Sequence, residues 1–97
     1  MPESVASLAE AKEIHEAVRR IGRERGFPFF ELHFDQDSTG DDAVWIYFDV
    51  DPSDWSGREG IGRLDSLATS VKDAIFETHI PRIPYVRFRE RKVAQAQ

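Results

Sequence analysis

The chain contains no cysteine. That single absence excludes disulfide scaffolds, thiol nucleophiles and thiolate metal centres together. Long apolar runs are missing too: the longest spans Ala43 to Phe48, against the ~20 residues that a helix needs to cross a bilayer. Basic residues are in deficit, with 13 Lys and Arg against 18 Asp and Glu and a formal net charge of −5. A chain of that sign is not drawn to polyanions, so coating of nucleic acid or of an anionic membrane is disfavoured. The opening residues Met1-Pro2-Glu3-Ser4 lack the basic and apolar regions of a secretory signal, and the expected compartment is the cytoplasm.

What is present points to one globular domain. Ninety-seven residues, 40% hydrophobic and 32% charged, are too apolar and too regularly patterned for disorder, and too few for two cores. The expectation is a single domain over residues 1–97, with an ordered core from 4 to 91 and a frayed tail from 92 to 97.

Between Ser4 and Arg25, Val5, Leu8, Ala11, Ile14, Val18 and Ile21 recur every three or four positions and line one side of a helix. Ser7 and Glu10 have capping-box spacing, with Ser4 an equally good cap; arginines crowd the last turns and Gly26 supplies a stop. After Pro28 the period changes to two. Phe30, Leu32 and Phe34 alternate with Glu31, His33 and Asp35, and after a polar turn Val44, Ile46, Phe48 and Val50 alternate with Trp45, Tyr47 and Asp49. Ser56 and Glu59 repeat the capping-box spacing before the stripe Ile61, Leu64, Leu67, Ala68, Val71 and Ile75, which predicts a second helix ending near His79. Pro84 opens a last strand with Val86 and Phe88 facing in and Tyr85, Arg87, Arg89 and Arg91 facing out.

The order α-β-β-α-β predicts a two-layer α+β sandwich, a three-stranded sheet with both helices on one face. The second strand is the most apolar and has no proline, which places it centrally in the order 1-2-3, with 2-1-3 as the alternative. Two helices cover one side of such a sheet, so the other side carries Glu31, His33, Trp45, Tyr47, Asp49, Tyr85, Arg87 and Arg89. Its three large aromatics would leave roughly 500 Å² of apolar surface bare, more than a monomer usually tolerates. Trp, Tyr and Arg are the side chains that dominate interface energetics. A structural reading competes: Arg87 and Arg89 lie over Trp45 and Tyr47 as ordinary cation–π pairs. Phe76 falls off the second helical stripe and is expected to tuck under the C-terminal segment, with contact to a partner as the alternative, and Trp55 to cap one end of the core.

Signals for chemistry are thinner. Asp35-x-Asp37-x-Thr39-Gly40 imitates the start of a calcium loop, but its twelfth position is Ile46 and strands flank it, so residues 35–42 read as a hairpin tip held by Asx-turns. His33 with Glu31, Asp35 and Asp49 offers one imidazole on an open surface, too little for a metal or acid/base site. Gly57-Arg58-Glu59-Gly60 matches the G-x-x-G loop of KH domains, and the element order is similar in outline to the reversed KH arrangement. The resemblance implies a grip on a nucleic-acid backbone and RNA or ribosome association. In KH domains that loop joins two helices; here it follows an acidic loop, and Glu59 stands where phosphate would approach. The outward aromatics with Arg87, Arg89 and Arg91 also resemble base-stacking RRM sheets, without the RRM aromatic consensus and with seven aspartates between Asp35 and Asp54 to repel phosphate.

The expected function is therefore a small cytoplasmic protein–protein interaction module of the antitoxin, immunity-protein or regulatory-subunit kind, or a homodimer. Its partner-binding residues are Trp45, Tyr47, Tyr85, Arg87, Arg89 and His33, and the acidic hairpin steers a basic partner. No enzymatic activity, cofactor, metal or membrane is expected, and a KH-like or RRM-like RNA-binding domain is the alternative.

Overall fold

The computed structural model describes residues 7–91; the alternative cap Ser4 and the expected tail 92–97 lie outside them. The first helix, α1, spans Leu8–Glu24. Its capping box is formed as the spacing predicts: the Ser7 Oγ accepts from the Glu10 amide at 3.1 Å, and the Glu10 carboxylate accepts from the Ser7 amide at 3.4 Å. Gly26 at φ 85° turns the chain out of the helix, and the Phe27 amide donates back to the Gly22 carbonyl at 2.7 Å. Gly22 has to be small here. A Cβ on it would stand 2.5 Å from the Phe27 carbonyl oxygen and 3.2 Å from the ring of Phe48, so the bare backbone lets α1 close both on its own exit and on the sheet.

Strands β1 (Phe30–Gln36) and β2 (Asp42–Val50) form an antiparallel hairpin, with Leu32 opposite Ile46 and His33 opposite Trp45. A 3₁₀ turn at Pro52–Asp54 leads into α2 (Gly57–Glu77), and β3 (Ile83–Glu90) returns parallel to β2. The order is β1-β2-β3, with the most apolar strand in the centre. Pro84 explains itself by its position. The Arg91 amide donates to the Val50 carbonyl, and alternation along a parallel strand then turns the amides of 85, 87 and 89 toward β2 and position 84 toward the free edge. A proline there removes no ladder bond.

The strand residues of one parity share a single buried cluster with the stripes of both helices: Val44, Ile46, Phe48 and Val50 with Ile14, Val18 and Ile21 of α1 and Leu64, Leu67, Val71 and Ile75 of α2. Burying each of these side chains fully is worth roughly 1.5–3 kcal/mol. Phe30, Leu32 and Phe34, on the edge strand, pack against this cluster but are only half-buried.

Three local expectations are corrected. Ser56 does not cap α2: with Gly57 at φ 74° the first turn does not aim its amides back, and the Ser56 hydroxyl donates to the Ser53 carbonyl at 3.4 Å instead. The reciprocal bond sits one turn earlier, where the Asp54 carboxylate accepts from the Asp51 amide at 2.8 Å. At the far end, His79 takes the left-handed position, φ 62°, that glycine usually fills. Phe76 is 59% exposed rather than tucked away. Trp55 is 46% exposed and forms one wall of a groove with Val50, Ile61, Leu64 and Phe88 at the end of the core, so it borders that end more than it seals it.

Candidate functional site

The two registers align the outward residues into rows across the sheet. His33, Trp45 and Tyr85 form one row, Glu31, Tyr47 and Arg87 the next, and Asp49 stands opposite Arg89. All six residues expected to bind a partner, Trp45, Tyr47, Tyr85, Arg87, Arg89 and His33, thus share one face. Cross-strand neighbours in such rows are ~4.5–5.5 Å apart at Cβ, close enough to pack.

They do pack, and this corrects the expected bare area. The Trp45 and Tyr85 rings stack at 5.2 Å with 20° between their planes, and the His33 ring meets Tyr47 edge-on at 5.5 Å. Arginines lie over the remaining surfaces: Arg87 over Tyr85 at 5.6 Å, Arg89 over Tyr47 at 5.3 Å and Arg91 over Phe29 at 4.9 Å. Trp45, Tyr47 and Tyr85 are therefore half-buried, not bare. The cation–π expectation is right in kind and wrong in one partner, because Trp45 is covered by Tyr85 and not by Arg87.

Charges fix the arginines in place. Arg89 donates through Nε to Asp49 and through Nη2 to Glu31, each at 2.6 Å, and Glu31 also bonds the His33 Nε2 at 2.9 Å. The Arg89 hydrogen bond, with that of His33, holds the Glu31 carboxyl below its usual value; the bonds to Asp49 and Glu31 in turn push Arg89 up. Arg91 pairs with Asp51 at 2.9 Å. Arg87 differs. Its Nη1 donates to the Val86 carbonyl at 3.1 Å, and among the described residues no carboxylate pairs with it.

The acidic hairpin is tied to this face. Asp37 Oδ1 accepts from the Thr39 hydroxyl at 2.7 Å and from the amides of Thr39 and Asp41, each at 3.0 Å, while Oδ2 accepts from the Tyr85 hydroxyl at 2.9 Å. This is the Asx-turn that residues 35–42 lead one to expect, with a cross-link to β3 that they do not. The Thr39 hydroxyl bond, joined by those of Tyr85 and the backbone, lowers the Asp37 carboxyl from 3.8 to about 2, and the same carboxylate raises the Tyr85 phenol.

The chemical capacity of the face follows from these pairings. Glu31, His33 and Asp49 are committed to one another or to Arg89, and among the described residues no three His, Asp or Glu side chains gather as a metal would require. Gly57 and Gly60 begin α2, and a Cβ at Gly60 would lie 2.7–2.9 Å from the backbone of Asp54 and Trp55. The Gly60 site is filled by protein backbone, the place where a KH loop would admit phosphate.

No family model, curated protein or solved structure matches this chain.

The function must then be argued from the face itself. Two residues that bear on it had no sequence signal. Ala43 is fully buried on the outward parity of β2. Beside it, Arg82 is buried and donates to the Ala43 carbonyl at 2.6 Å with its guanidinium 5.2 Å from the Phe34 ring centre. Arg82 ties the start of β3 to the start of β2, at the end of the rows.

Proposed function

We propose that this chain is a protein-interaction module whose working surface is the outer sheet face. The observation that carries the reading is the Trp45–Tyr85 stack lying beside Arg87, a guanidinium with no carboxylate partner among the described residues. Stacked rings and anchored arginines lose little side-chain freedom on docking, which favours their use as interface anchors. The partner that fits is a protein presenting an apolar or aromatic group to the stack, a carboxylate to Arg87, and basic side chains to the hairpin acids Asp41 and Asp42. Tyr47, Arg89 and His33 complete the surface as its fixed rim. A cytoplasmic antitoxin, immunity protein or regulatory subunit is the class that suits this size and charge.

RNA is the less favoured ligand, because the hairpin carboxylates of Asp37 and Asp41 adjoin the stack on which bases would lie. The test compares wild type with the double variant Trp45→Ala, Arg87→Glu. After thermal melts show that the variant is folded, a protein that co-purifies with wild type from the native host should be lost from the variant. Co-purifying RNA with a steep salt slope would overturn the reading.

A further inference from the structure

The free edges of the sheet are treated differently. Edge strands are normally blunted by proline, lysine, bulges or covering elements, because their unpaired amides and carbonyls invite another strand. On β3 the edge has Pro84 and is flanked by Arg87, Arg89 and Arg91. On β1 there is no proline, no lysine and no bulge in the register from Phe30 to Gln36, and its flanking residues Glu31, His33 and Asp35 are of mixed charge type rather than one sign, so they can match across a two-fold axis.

Which β1 groups face outward can be worked out. The Asp49 amide donates to the Phe29 carbonyl and the Asp37 amide to the Asp41 carbonyl, so odd-numbered residues are the ones bonded to β2. The amides and carbonyls of Phe30, Leu32 and Phe34 therefore point away from the sheet. All three core-face side chains of β1 remain half-buried, whereas on β3 only Phe88 does, and Phe29 next to β1 is 51% exposed. Among the described residues, open backbone and incompletely covered apolar side chains coincide on this edge.

We infer that β1 pairs antiparallel with β1 of a second copy of this chain, across a two-fold axis at Leu32, to give one continuous six-stranded sheet. This is the register that pairs Phe30, Leu32 and Phe34 wholly with one another, and the charges agree with it. With Leu32 opposite Leu32, Glu31 stands opposite His33 of the second copy, and Phe30 opposite its Phe34. A shift centring His33 would set Glu31 against Asp35, and one centring Glu31 would set it against itself, both like-charge pairs that destabilise a sheet. In the selected register the outward groups of Phe30, Leu32 and Phe34 make about six backbone hydrogen bonds, and core-face side chains stay on one side. The Trp45–Tyr85 stack and Arg87 lie on β2 and β3, away from this edge, so the pairing leaves them open and shares only the rim residue His33 with the proposed partner site.

The test is light scattering at about 1 mM chain, where even weak pairing is populated. Wild type should have twice the 11.1 kDa chain mass. His33→Glu, an exposed change, should weaken the dimer at least tenfold by opposing Glu31 with Glu in two symmetric pairs. Adding Glu31→Lys to it should restore the dimer, and Arg87→Glu on the outer face should leave it intact. A single-chain mass for wild type, a dimer indifferent to His33→Glu, or a dimer abolished by Arg87→Glu in a folded protein would each overturn the inference. Amide exchange gives a second readout: the Leu32 and Phe34 amides should be protected at high concentration and exchange freely on dilution, and free exchange at both would refute it.

Discussion

Alanine at Gly60 separates a packing role for the Gly57–Gly60 stretch from a phosphate-gripping one. A methyl group there would sit 2.7 Å from the Asp54 carbonyl oxygen and 2.8 and 2.9 Å from the Trp55 carbonyl carbon and Cα. All three are backbone atoms, which cannot swing aside as a flexible side chain would, so the 3₁₀ turn must move. Alanine gains about 1 kcal/mol over glycine in helix propensity, and overpacking of this severity costs about 3 kcal/mol. The net loss is about 2 kcal/mol, or roughly 10 °C in Tm for a domain of this size. Gly62, one half-turn on, is the control: no heavy atom lies within 4 Å of its Cβ position, so Gly62→Ala should gain about 0.5–1 kcal/mol. Urea melts with unchanged m values read both. A Gly60→Ala protein as stable as wild type would refute the packing argument and return the loop to the nucleic-acid reading.

Phe48 is fully buried between Gly22, Phe30 and Phe88; Phe48→Ala should cost about 3–5 kcal/mol by urea denaturation, a large share of what holds a small domain folded. Arg82→Ala should cost about 2–3 kcal/mol through its bond to the Ala43 carbonyl and its contact with Phe34, and Arg82→Lys should recover less than half, because an ammonium lacks the planar fork. Asp37 is held below its ordinary value, so its contribution to stability is complete above about 3.8 and disappears as the pH falls toward 2. Carboxyl NMR should show a midpoint near 2 that moves up toward 3.8 in Tyr85→Phe; an unmoved midpoint would contradict the cross-link.

Periodicity made most of the fold legible. The change from a 3.6 to a 2.0 repeat after Pro28 marks where helix gives way to strand, and Ser7 with Glu10 marks where α1 begins. Apolarity and proline location together indicated the strand order, since β2 is the most apolar strand and Pro28 and Pro84 stand at the entries of β1 and β3. The alternation that defined the core also put Trp45, Tyr47, Tyr85, Arg87, Arg89 and His33 on one face, because register is fixed once one side is buried. What stayed hidden depends on contacts remote in sequence. Tyr85 reaches Asp37 and Arg89 reaches Glu31 across 48 and 58 positions, and no local pattern encodes either. The same is true of the ring shielding, which needs the parallel register of β2 and β3 before Tyr85 can be placed over Trp45. Ser56 misled because spacing alone cannot reveal that the next residue takes a positive φ.

Site-specific photo-crosslinking tests the central claim most directly. With p-benzoylphenylalanine in place of Tyr47, an aromatic on the central strand of the outer face, irradiation in the native host should yield one discrete protein adduct, and the same probe at Lys72, exposed on α2, should yield none. No adduct from position 47, equal adducts from both positions, or an adduct that ribonuclease removes would contradict it.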